Sequence, residues 1–250
     1  MKLLKYVMTS DAGLAPNPFF EICSLAVCTP NHRRARLEVG DWVVGHSCKR
    51  TGNKLIYAMC VTSILTMPEY YEQFPLKRPN RFGDRNQQCG DNFYYIKTGQ
   101  WRRLPSIFHN NQQAFTKDID RPVFLAEGHE NYWYFGGSDD RVVSEFPDLF
   151  PDLIKDRQGI SYVRDGSRIE EFVAWLHQYS RSGEIGSPRD RVDTQPDRFL
   201  VQIEPQPRWI SAEDTSDTSS ASGESCSNNS CRPSKPESKR MPNNRGSCRP

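Results

Sequence analysis

Residues 40–65 constrain the fold more than any other stretch. GDWVVGHSC (40–48) and KLIYAMCVTSIL (54–65) are rich in Val, Ile, Tyr and Trp, and the KRTGN between them has turn chemistry. This arrangement predicts an antiparallel hairpin. A strand as apolar as KLIYAMCV would invite aggregation on an open edge, so it calls for a sheet that closes, or half closes, on itself. The expected architecture is α+β: a small, mostly antiparallel β-barrel with a few flanking helices.

Shorter strands are expected over 3–9, 21–28, 93–97 and 100–104, with a second hairpin from 123–127 and 131–136 around GHE. In NYWYFG, alternation places Tyr132 and Tyr134 on one face and Trp133 and Phe135 on the other, one for the core and one for stacking. Thr66 and Glu69 form a capping box for a helix over 69–74 that stops before Pro75. Ser167 and Glu170 do the same for 168–180, where Ile169, Phe172, Val173 and Leu176 recur at helical spacing. DAGLAPNPFF (11–20) reads as a loop, 75–92 as an exposed basic loop and 105–120 as irregular.

The hydrophobic fraction of 36% is low for a globular chain, and the deficit is local. Residues 211–250 contain eleven Ser and few large apolar side chains, too little to offset the entropy of ordering. Residues 1–190 therefore read as the folded domain, 191–210 as an extension with one further strand at 199–203, and 211–250 as a disordered Ser/Pro-rich tail. No run approaches the ~18 apolar residues of a membrane span, so no membrane partner is expected. MKLLKYVM has no long apolar stretch, which argues against a secretory signal and for a cytoplasmic setting.

Five of the eight Cys lie between positions 23 and 89, an odd number that reads as free buried thiols. Cys23, Cys28 and His32 have a zinc-like spacing, but in a strand positions 23 and 28 face opposite sides. Neither a metal nor another cofactor is expected.

The net charge of +2 conceals an uneven distribution. Residues 31–110 hold thirteen Lys or Arg against six Asp or Glu, whereas 111–210 hold twelve against eighteen. A basic first half can present a phosphate-attracting face, with Arg34, Lys49, Arg50 and Arg85 as its candidate members. The chain has no phosphate-loop motif, nucleophile elbow, HExxH or GxGxxG. Trp42, Tyr94, Trp101 and Tyr134 supply flat surfaces on which an exposed base can stack, with Trp133 as a further candidate. Asn17, Asp91 and Asn92 can read the hydrogen-bonding edge of a base. The turn at Gly136 and Gly137 can offer backbone N–H groups to a phosphate. His109, alone in an irregular segment, is the His placed for proton transfer, with Asp91 as its acid–base partner.

Residues 6–62 closely resemble the nucleotide modification associated domain 2 family. The APNPFF loop with Asn17 and Phe19, the ICSLAVC and VGDWVVG strands and the LIYAM strand carry the resemblance. It continues through Gly90-Asp91-Asn92 with Tyr94, Asp120-Arg121-Pro122-Val123, YWYFGG (132–137) and FVAWL (172–176), covering about residues 1–190. Departures lie in WRRLPSIFHNN, which has His109 alone, and in DRQGISYVRDG, which has no His or Cys. The resemblance implies a place beside enzymes that make modified bases in phage and bacterial DNA. The hairpin at 40–65 is also similar to that of PUA-like readers of the EVE and ASCH type.

Together these readings anticipate binding of a nucleobase, a nucleotide or an exposed base in nucleic acid, DNA in preference to RNA, within a base-modification or modification-sensing pathway. Base-modification enzymes are the expected protein partners. The alternative is an enzyme that modifies the base itself.

Overall fold

The computed structural model describes residues 1–27, 35–109 and 112–192. Two stacked sheets organise it. Strands β1 (Leu3–Val7), β3 (Trp42–His46), β4 (Leu55–Cys60), β9 (Tyr132–Tyr134), β10 (Ile160–Val163) and β11 (Gly183–Glu184) form one sheet in the order β10-β1-β3-β4-β9-β11. The β1–β3 and β9–β11 pairs are parallel and the remainder antiparallel. Strands β2 (Ile22–Leu25), β8 (Val123–Glu127) and β5 (Ser63–Leu65) make a second, antiparallel sheet in the order β2-β8-β5. Strands β6 (Tyr94–Lys97) and β7 (Gln100–Arg103) stand apart as a hairpin.

The hairpin expected at 40–65 forms as β3–β4, with the register slipping at Gly45/His46 and the turn passing through Gly52 and Asn53 at positive φ. The apolar run that begins at Leu55 serves both sheets. Its first half lies between β3 and β9, and after Val61 the chain bends so that Thr62 N–H reaches Leu125 O and β5 pairs with β8. No closed barrel forms among the described residues: the larger sheet ends on β10 and β11, the smaller on β2 and β5. β4 nevertheless escapes the edge problem, because it is central and covered on both faces.

Strand alternation sorts the apolar side chains into three layers. Leu4, Tyr6, Val43, Met59, Tyr132 and Tyr134 meet Cys23, Leu25, Phe124 and Ala126 between the two sheets. Leu3, Trp42, Val44, Trp133 and Phe135 point the other way, onto helices α4 (Arg141–Leu149) and α5 (Gly166–His177). Val123 and Leu125 pack outward against α1 (Met67–Gln73), the β6–β7 hairpin and α3 (Gln112–Asp118), through Met67, Tyr70, Tyr94 and Phe115. The alternation expected in NYWYFG is therefore present, but both of its faces are core.

Several expectations change. β8 and β9 are not a hairpin; Gly128 at positive φ and a 3-10 turn over His129–Asn131 send β8 to one sheet and β9 to the other. Helix α1 carries the Thr66–Glu69 capping box. Helix α5 is capped instead by Asp165, whose side chain accepts from Ser167 and Arg168 N–H. The segment 105–120 includes α3, and the basic loop contains α2 (Arg85–Gln88) and a buried end, Cys89–Asn92. The strand expected at 199–203 and the tail lie outside the described residues. No helix among the described residues is long and apolar enough to cross a membrane.

Candidate functional site

The loop 8–21, the end of α1 and the segment 75–92 enclose a polar cluster that the sequence scatters over 75 positions. Lys77 is 1% exposed, and its Nζ donates to the carbonyls of Asn17 (2.9 Å), Phe19 (3.0 Å) and Ile22 (2.8 Å) and to Asn17 Oδ1 (2.5 Å). Asn17 Nδ2 donates to Gly13 O and Cys89 O, each at 2.9 Å. Asp91 accepts from Ser24 Oγ and Tyr70 OH, both at 2.7 Å. Asn92 Nδ2 donates to Tyr70 O and Phe74 O at 2.9 Å, while its Oδ1 has no hydrogen-bond partner among the described residues. Gly90 is required by close approach, since a Cβ there would lie 2.5 Å from Lys77 O and Pro79 N.

Burial sets the electrostatics of this cluster. It pulls Lys77 down to about 8, with Asp91 opposing the shift, and pushes the Asp91 carboxyl up, with Lys77, Ser24 and Tyr70 opposing. Cys23 is pushed up to about 12 and Cys89 to about 11, so both are inert thiols. Three residues expected to read a base edge, Asn17, Asp91 and Asn92, do converge. Their polar groups, however, bind the protein's own backbone and side chains.

A second group lies under the β6–β7 hairpin. His109 Nδ1 bonds Asp118, whose other oxygen is 3.2 Å from Arg121 Nη2, and Tyr94 OH donates to Asp118 at 3.4 Å. His109 thus pairs with Asp118, while both Asp91 oxygens are engaged by Ser24 and Tyr70. The expected Asp91–His109 pair is not formed.

A groove of about 560 Å³ opens beside this group, between the start of α1 and the turn 119–122. The half-buried Trp101 indole lines it with Ile64, Met67 and Pro122, and Glu69, Asp120 and Arg121 are its charged members. Glu69 Oε2 is drawn back to Thr66 by the helix cap.

The other expected site residues do not gather here. Trp42 is 6% exposed and packs 6.0 Å from Trp133 beneath α5. Tyr134 is buried with its OH 2.6 Å from Asp11 Oδ1, and Tyr94 and Phe19 are also buried. Gly136 N–H is taken by Ile56 O and Gly137 N–H by Ser187 O, so this turn holds no amide for a phosphate. Lys49 and Arg50 are exposed at the tip of the β3–β4 turn, and Arg85 Nη2 donates to Asp190 O at 3.0 Å. Arg34 lies outside the described residues. Among the described residues the cations and rings expected to bind a nucleotide do not meet in one cleft, because most of those rings fill the three core layers.

Lys77, Ser24, Tyr70, Asp118 and Arg121 are not among the site residues that the sequence suggests. In the sequence Lys77 looks like any cation of the exposed basic loop, and its burial follows from tertiary packing. Among the described residues no group of three His, Cys, Asp or Glu could hold a metal ion.

Neither the comparison with curated proteins nor that with solved structures gives a match. The model of one family, nucleotide modification associated domain 2, matches residues 1–195. Since that match spans more than three quarters of the chain, the protein belongs to the nucleotide modification associated domain 2 family.

Proposed function

We propose that this domain binds an exposed nucleobase in the Trp101 groove as part of a nucleotide modification pathway. Family membership supports the pathway, and one observation carries the site: a half-buried indole lines a groove of about 560 Å³ that also holds the Glu69 and Asp120 carboxylates. An indole face supplies sequence-tolerant stacking. Glu69 Oε1, the oxygen not drawn to Thr66, can accept from a ring N–H or an exocyclic amino group, which favours bases with such donors, cytosine among them. The same carboxylates repel phosphate, so the groove suits the base end of a nucleotide.

Fluorescence titration with nucleosides and mononucleotides tests this reading. Saturable binding of an amino-bearing base is expected, weakened about tenfold by Trp101→Ala, the loss of one stacked base. Equal binding by wild type and Trp101→Ala would contradict it.

A second reading, an enzyme acting on the base, is favoured by the His109–Asp118 contact. In it Asp118 orients the imidazole for general acid–base work, a role for which Asp91 is too deeply engaged. Loss of product formation in His109→Gln with binding retained would support it, and parallel loss of binding would count against it.

A further inference from the structure

The two faces of the β6–β7 hairpin carry different chemistry. The register pairs Tyr95 with Arg102 and Lys97 with Gln100, and alternation sets these four side chains on the face opposite Tyr94, Ile96, Trp101 and Arg103. Tyr94 is buried and Trp101 belongs to the groove, so the Tyr95 face looks outward.

A cation and two rings stack along that outward face. The Tyr95 ring lies 4.6 Å from the Tyr71 ring at 17° between planes. The Arg78 guanidinium lies 3.9 Å from the Tyr71 centroid and is held there by a 2.6 Å bond from Nη2 to Tyr71 O. All three residues are half-buried, whereas Lys97 and Gln100 are exposed. Arg102, paired with Tyr95 across the hairpin, donates from Nη2 to Gln100 Oε1 at 2.9 Å. The loop that supplies Arg78 repeats the motif: Arg81 lies 4.3 Å over the ring of Phe82, and Phe82 is 76% exposed.

Charge points the same way. Residues 75–103 contain seven Lys or Arg and two Asp. Of these, Lys77 and Asp91 are buried, Arg103 lies on the other face of the hairpin and Asp84 caps α2, which leaves Arg78, Arg81, Arg85, Lys97 and Arg102. Rings interleaved with spread cations match a flexible polyanion whose bases have accessible π-faces. A duplex hides those faces, and a free nucleotide would use only a fraction of the charge.

We infer that the outer face of the β6–β7 hairpin, with Tyr71, Arg78 and the 80–82 loop, is a binding surface for single-stranded nucleic acid. Tyr95 stacks a base on the face turned away from Tyr71, which Arg78 backs from behind, and Arg78, Lys97 and Arg102 meet the phosphates. This surface names the substrate class for the groove reading, on which that part of the inference rests: the exposed base belongs to a strand.

The test is equilibrium binding of single strands of about twelve nucleotides, as DNA and as RNA of one sequence, against the matching duplex and a mononucleotide. Wild type is expected to bind a single strand tighter than the duplex and the mononucleotide, with affinity falling as salt rises. Tyr95→Ala and Arg102→Gln should each weaken strand binding about tenfold and leave mononucleotide binding unchanged. Arg102→Gln should also lower the slope of log affinity against log salt by about 0.7. Tyr95→Phe keeps the ring and should bind as wild type does, which separates stacking from a general loss of structure. Strand binding no tighter than mononucleotide binding, or unchanged in Tyr95→Ala and Arg102→Gln, overturns the inference. Strand binding without any mononucleotide binding upholds it and contradicts the groove reading. The tighter of the DNA and RNA arms identifies the sugar.

Discussion

The Lys77 cluster and the β6–β7 hairpin use the same residue types to opposite ends. Each draws a Tyr, a basic side chain and an amide from residues 70–103, although the cluster also recruits Asn17 and Ser24. In the cluster, burial forces the polar groups to find partners inside the protein, and Lys77 meets four acceptors. Against the hairpin, Tyr71 and Arg78 stack in line with Tyr95, and all three stay half-exposed. Chemistry that is fully satisfied internally builds a scaffold. Chemistry at the surface is left for a partner.

The largest expected effect follows from breaking the cluster. Lys77→Met removes the ammonium that ties the turn after α1 to residues 17–22 at the start of β2, and strands buried carbonyls beside Asp91. Urea unfolding should show a loss of about 3–5 kcal/mol. A loss below about 1 kcal/mol would mean that the cluster is not the tie it resembles. By contrast, Tyr95→Ala should cost about 1 kcal/mol or less in the same assay, because its ring lies at the surface.

A smaller effect concerns His46, which is buried in β3. Its Nδ1 is 2.7 Å from Ser47 O and its Nε2 accepts from Lys155 N–H at 3.0 Å. Protonation would destroy that acceptor, and burial accordingly pulls the imidazole below its usual 6.5. A folded value below the unfolded one gives stability that is complete above about pH 6.5 and is lost as pH falls through the folded value. The buried carboxyls Asp11 and Asp91, pushed up by burial, act in the opposite sense. The difference between wild type and His46→Gln across pH 7 to 5 isolates the imidazole, and it should shrink with acid. A constant difference would show that His46 does not titrate on unfolding.

Much of the fold is legible in the sequence where local chemistry decides. The β3–β4 hairpin follows from its apolar runs and turn, and α1 from Thr66 and Glu69. Pairing partners are not local, so adjacency in sequence misassigned β8 and β9. Helix α3 was hidden because QQAFTKD places few apolar residues at helical spacing. The start of α5 was misread because Ser167 and Asp165 both fit a cap, and the carboxylate two residues earlier reaches the amides. At the site, Asn17, Asp91 and Asn92 come together, but on partners within the protein. Whether a convergent polar group faces solvent or the core depends on what the rest of the chain lays over it, and that is a tertiary property. The aromatic residues show the same limit: Trp42, Tyr94 and Tyr134 fill core layers, while Tyr71 and Tyr95 supply the surface stack.

Ultraviolet cross-linking of a bound single strand, followed by peptide mass spectrometry, tests the contrast between the two regions most directly. Nucleotide adducts on Trp101, Tyr95 or Tyr71, with none on Tyr70, are the expected result. Adducts confined to the β3–β4 turn at Lys49 and Arg50, or appearing on Tyr70 in the Lys77 cluster, would contradict the account.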